Sequence, residues 1–196
     1  SGCNHGKNGA QKEKEIMLHI QKGQEPQFLT DFKKKYPKKD YDSEEFKQHR
    51  PVLKSGLIEE QKGLCAYCCG RITEDKAHNE HIEPRHPGKY VSKRSLDYMN
   101  IVASCNNSET CGNKKGNNYD PQNFVSPLDE DCEDKFTYYP DGKIVGDEYT
   151  IDLLNLNAYE LKNARKAVMK KLQCFTKEDI EICYMNEDDG KYPAYY

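Results

Sequence analysis

Cys65 and Cys68 stand two residues apart, a spacing that lets both thiolates of a tight turn face one tetrahedral ion. Cys105 and Cys111 form a second, wider pair. Between the pairs, Glu80-His81-Ile82-Glu83-Pro84 sets a carboxylate beside an imidazole on an expected strand. Asn100 follows, and after Cys111 come Gly112-Asn113-Lys114-Lys115-Gly116. Four thiols at ligand spacing predict a structural Zn2+ held by Cys65, Cys68, Cys105 and Cys111. A neutral imidazole can take a proton from water, and a carboxylate oxygen suits Mg2+ or Mn2+. Hydrolysis of a phosphodiester needs both, a base for the attacking water and a cation beside the phosphorus-bound oxygens.

The order Cys-x-x-Cys, Glu-His-Ile-x-Pro, Asn, Cys, Cys, Asn, Lys runs from Leu64 to Asn117. It resembles a zinc-clamped HNH endonuclease core of the ββα-metal fold. The resemblance implies that His81 is the general base and that Asn100 orients it. It also implies that Glu80, on the other strand face, and Asn113 are ligands of a catalytic Mg2+ or Mn2+. The family's final metal position is more often His. Asn113 there reads either as the HNN variant of the motif or as a weakened position. From Met17, the run MLHIQKGQEPQFLTDFKKKYP resembles the opening of the PtuB-like nucleases of Septu and retron-associated anti-phage defence systems. Those relatives imply DNA as substrate and a PtuA-like ABC/RecF ATPase as partner. Retron versions add a reverse transcriptase with its RNA. The rival class is a non-catalytic zinc-binding module that docks on nucleic acid or protein. Glu80, His81 and Asn100 separate the two, since a docking module needs no base.

With 196 residues the chain has room for one domain, or one domain with an appended lobe. Only 35% of it is hydrophobic against 32% charged, so a modest core must lean on the metal. The other cysteines, Cys3, Cys69, Cys132, Cys174 and Cys183, are scattered and make the total odd, which argues against a disulfide framework. No apolar run approaches the ~20 residues that span a bilayer, and the polar N-terminus carries no secretory signal, so the expected location is cytoplasmic. A net charge of −3 is unfavourable for a protein that approaches phosphates, and points to a partner that supplies part of the binding. Basic residues cluster at Lys33–Lys39, at Arg85, Lys89, Lys93 and Arg94, and at Lys114 and Lys115. Arg85, Lys89, Lys114 and Lys115 flank the motif and are the expected nucleic-acid contacts. No glycine-rich phosphate loop is present, so ATP binding falls to the partner.

The elements that must position these groups read as α+β. Residues 1–16 look like a vector remnant or tag, 17–60 a helical arm, 61–118 the nuclease core, and 119–196 a lobe of hairpin plus helices that docks the partner. Leu18-His19-Ile20 reads as a short strand, and Thr30 or Asp31 as the cap of a helix through Tyr36. Ser43 starts another helix, and Val52, Leu53, Leu57 and Ile58 have helical spacing. Arg71-Ile72 and Asn100–Ala103 read as strands, with His78 and His86 as bystanders in polar loops. Phe136–Val145 reads as a hairpin around Pro140-Asp141-Gly142. Asn157 is expected to cap a helix to about Gln173, with a further helix from Thr176 and a Tyr-rich tail from Gly190.

Overall fold

The computed structural model describes residues 17–87 and 92–172. The expected helix from Thr176, the tail, residues 1–16 and Lys89 lie outside the described residues. Three helices lead: α1 (Gln27–Lys35), α2 (Glu44–Lys47) and α3 (Arg50–Glu60). Pro26 sits at the N-cap position of α1, four residues ahead of the expected start, and three lysines close its last turn against the negative end of the helix dipole. Ser43 precedes α2, whose first turn holds Glu44 and Glu45, and Pro51 occupies the first turn of α3, where its missing N–H costs nothing. Leu53 and Leu57, one turn apart, bury the inner face of α3, while Val52 is exposed.

Strands β1 (Ala77–His81) and β2 (Ile101–Cys105) pair antiparallel, with Glu80 opposite Val102 and His81 opposite Ile101. Helix α4 (Cys111–Lys115) follows after a turn and packs on β2. The C-terminal part holds a second hairpin, β3 (Phe136–Tyr138) with β4 (Ile144–Gly146), then α5 (Glu148–Leu153) and α6 (Tyr159–Leu172). Gly142 turns that hairpin at φ +84°, where a Cβ would stand 2.0 Å from the Lys162 carbonyl oxygen, so only glycine fits. The architecture is mixed α+β with two small antiparallel sheets. One buried cluster runs from Met17 and Leu29 through Tyr67, Ile101 and Val102 to Ile151 and Leu161, so the three sequence segments share a core.

Three local expectations are corrected. Leu18–Ile20 forms no strand: His19 N–H donates to Glu133 and Ile20 N–H to the Pro127 carbonyl, so this segment is stitched to the C-terminal part. Arg71 makes one isolated bridge with Leu64, and the strand begins only at Ala77. Asn157 spends its side chain on both backbone groups of Ile144, at 2.9 Å each, and α6 starts two residues later.

A buried ion pair fastens the arm to β2. Lys22 Nζ lies 2.7 Å from Glu60 Oε2, donates to the Ile101 carbonyl at 3.1 Å, and sits 3.6 Å from the Tyr98 ring centroid. Glu60 Oε1 accepts from Tyr98 OH and from Gly23 N–H. Burial pulls the Lys22 pKa down, and the bond to Glu60 opposes that pull. Gln61 adds a second tie by acting as a surrogate strand: its Oε1 accepts from Ala103 N–H at 2.6 Å and its Nε2 donates to the Ala103 and Leu64 carbonyls. Lys22→Met strands Glu60 next to the core. It is expected to destabilise the chain by about 3 kcal/mol in urea unfolding, against a change near zero for the exposed Lys47→Met.

Candidate functional site

The four cysteines of the sequence pattern converge. Cys65 and Cys68 come from the turn after α3, Cys105 ends β2 and Cys111 opens α4, and their Sγ atoms all lie within 4.8 Å of one another. Three are buried and Cys105 is partly so. A tetrahedral ion with metal–sulfur bonds of about 2.3 Å requires sulfurs roughly 3.8 Å apart, so the four thiols can hold one metal ion. The turn closes through Cys69 N–H to the Cys65 carbonyl and Cys65 N–H to Gly70, with Cys69 in the left-handed region at φ 55°. Cys105 N–H donates to the Cys65 sulfur at 3.3 Å. Burial opposes ionisation of Cys65, but hydrogen bonds from Cys105, Cys111 and Cys68 carry its pKa well below the ordinary thiol value. Cys69 stays outside the cluster, and burial pushes its thiol up to about 11. Cys111 N–H donates to the Leu154 carbonyl at 2.8 Å, so the segment after β4 holds one of the four ligands in place.

The alternation of β1 divides the remaining groups. On one face, Glu80 is buried, with Oε1 3.0 Å from Lys115 Nζ and accepting from Tyr67 OH at 3.3 Å. Its Oε2 lies 3.4 Å from His78 Nε2. Burial acts to raise the Glu80 pKa, but the bond from His78 and the Lys115 charge outweigh it and the net shift is down. For His78 burial acts downward, and the Glu80 carboxylate turns the net shift upward. Lys115 is fully buried and also donates to the His81 carbonyl at 3.0 Å, so it pins α4 to the end of β1. It is therefore not a surface contact for phosphate.

His81 lies on the opposite face, 5% exposed, with the edge of its ring against Tyr41 at 4.7 Å between centroids. Its Nε2 is 2.9 Å from the Ser95 carbonyl oxygen, which can only accept, so Nε2 carries the proton and Nδ1 the lone pair. Burial lowers its pKa to about 4, and the Ser95 bond opposes that only in part. Asn100 makes no bond to His81. Its amide donates to the Glu83 and Arg94 carbonyls and accepts from Glu83 N–H, which closes the loop that carries Ser95. Asn100 is therefore connected to His81 only through that loop.

Asn113 is exposed, and its Nδ2 donates to the Asn107 carbonyl. The side chain that faces Oε2 of Glu80 is His78. Gly112 makes that approach possible: a Cβ there would lie 2.7 Å from the Glu80 carboxylate. Lys114 is exposed on α4. Arg85 pairs with Asp42 and stacks on Tyr41, 5.1 Å from the ring centroid, beside Arg50 at 4.7 Å. His78, Gly112, Tyr67 and Tyr41 were not marked by sequence reasoning as site residues. His78 was expected in a polar loop, but β1 begins at Ala77 and sets His78 two residues before Glu80 on the same strand face.

No family model matches this chain, and no curated protein matches it. Fold and site define a mixed α+β protein with a four-thiol cluster that could hold a metal ion, beside a Glu-His-Lys cluster in which Glu80 and Lys115 are buried and His78 is partly exposed. Among the described residues no helix is long and apolar enough to cross a membrane.

Two outcomes are expected. Cys68→Ser should release the metal and lower the melting temperature together, as read by metal analysis and calorimetry on one preparation. The second concerns pH. Both folded and unfolded His81 are neutral above its ordinary value of 6.5, so its full contribution is present there and is lost as pH falls toward about 4. The loss amounts to about 3 kcal/mol across that window. His81→Gln should flatten that part of the stability profile.

Proposed function

We propose that this chain is a zinc-stabilised, metal-dependent HNH endonuclease that hydrolyses phosphodiester bonds in DNA, working in anti-phage defence with a PtuA-like ABC/RecF ATPase. The observation that carries the reading is the state of His81: a neutral imidazole, held in one tautomer by the Ser95 carbonyl, next in sequence to a buried carboxylate on a hairpin that leads into a helix. A docking module has no use for such an arrangement. The four thiols suit a structural Zn2+, which locks β2 and α4 together.

In this mechanism the Nδ1 lone pair of His81 takes the proton from the attacking water. Asn100 acts as a positioning residue, since it closes the loop whose Ser95 carbonyl fixes the ring. Lys115 holds Glu80 and the His81 backbone in register. A divalent ion held by Glu80 would supply positive charge for the phosphate oxygens in the transition state. With a net charge of −3, the chain gains DNA affinity from its ATPase partner, or in a retron from the reverse transcriptase and its RNA.

The test is plasmid nicking with Mg2+ or Mn2+, with the chain alone and with the ATPase co-expressed from the same operon. His81→Ala should lower the rate by ~10²–10⁴-fold while the zinc content stays constant. Nicking by His81→Ala at the parental rate removes His81 as the base. Failure of the parent to nick DNA in both formats, with zinc in place, favours the docking module.

A further inference from the structure

We propose that His78 and Glu80, over Gly112, form a second divalent-cation site, separate from the four-thiol cluster and suited to a transition ion such as Mn2+. It rests on the nuclease reading only for the ion's purpose, because the geometry is independent of it. Asn106 Nδ2 donates to the Asp75 carbonyl, which fixes the amide and turns its Oδ1 to His78 Nδ1 at 3.1 Å. An amide oxygen only accepts, so Nδ1 bears the hydrogen. In the neutral ring Nε2 then directs a lone pair at a carboxylate oxygen 3.4 Å away. A positive centre satisfies both groups, either a proton on Nε2 that donates to the carboxylate or a metal ion that displaces it and takes both lone pairs. Metal bonds of about 2.1 Å to nitrogen and to oxygen span that gap with both residues where they stand.

Three further features fit an ion there. Lys115 and Tyr67 engage Oε1 of Glu80, so Oε2 has His78 as its partner. The Gly112 backbone leaves room that any side chain would fill, since a Cβ would lie 2.7 Å from Oε2 and 3.0 Å from His78 Nε2. The His78 side chain is 28% exposed, which leaves a route for water and a phosphate oxygen to complete the coordination. An imidazole with one carboxylate selects Mn2+, Co2+ or Ni2+ over Ca2+. In this arrangement His78 supplies the imidazole that the usual final metal position, here Asn113, lacks.

The experiment is Mn2+ titration of the zinc-loaded chain, followed by the loss of the free-ion EPR signal, with zinc counted before and after. One Mn2+ per chain is expected. His78→Ala should weaken binding about tenfold or more with zinc unchanged, and Gly112→Ala should do the same where it folds. Absence of Mn2+ binding in the parent, or equal binding by parent and His78→Ala, overturns the proposal. The two readings fail separately. His78-dependent Mn2+ binding without DNA cleavage keeps the cation site and removes the nuclease. Cleavage with Mn2+ that His78→Ala leaves intact does the reverse.

Discussion

Everything in this fold answers to the requirement that four sulfur atoms from three separate places reach one point. Cys65 and Cys68 arrive on a turn, Cys105 on the end of a strand and Cys111 on the first residue of a helix. Thiolates at such distances repel unless a cation joins them, so the cluster is tolerable only with protons or a metal in place. Once joined, they fix the angle between β2 and α4. That angle decides whether Lys115 reaches Glu80 and whether Gly112 passes beneath His78. The polar cluster is thus downstream of the sulfur cluster, although they share no side chain.

The pleat of β1 then sorts the chemistry. Adjacent residues of a strand face opposite ways, so Glu80 and His81 meet different neighbours despite being consecutive. Glu80 stays charged in a buried position because Lys115 and His78 compensate its desolvation. The charged form of His81 is disfavoured because the ring is buried against Tyr41, and the Ser95 bond opposes that only in part. One strand end therefore presents an anion to one face and a neutral imidazole to the other.

The sulfur cluster was legible because ligand spacing is a short-range property: Cys65 and Cys68 had to be close, and the second pair matched them. The Glu80–His81 alternation was equally local. The buried place of Lys115 was hidden, because a lysine beside another lysine on a short helix looks like solvated surface, and only the fold shows which of the two points inward. The phase of the same helix leaves Asn113 exposed, with its Nδ2 on the Asn107 carbonyl. The Leu18–Ile20 strand failed because strand character needs a partner, and the backbone facing this segment belongs to an irregular stretch more than a hundred residues away in the chain. Asn157 looked like a cap because caps and backbone clamps use the same amide chemistry.

The Lys22–Glu60 pair and the Cys111–Leu154 hydrogen bond bear on how such a chain can be inherited. One ties the hairpin to sequence before the cysteine motif, the other to sequence after it. A gene segment spanning only the motif would leave the Ile101 carbonyl and the Cys111 amide without their donor and acceptor, so shuffling the motif alone into a new host is disfavoured. Evolution must move residues from Met17 to at least Leu161 as a unit, and novelty can enter more cheaply at solvent-facing turns such as Asn117-Asn118.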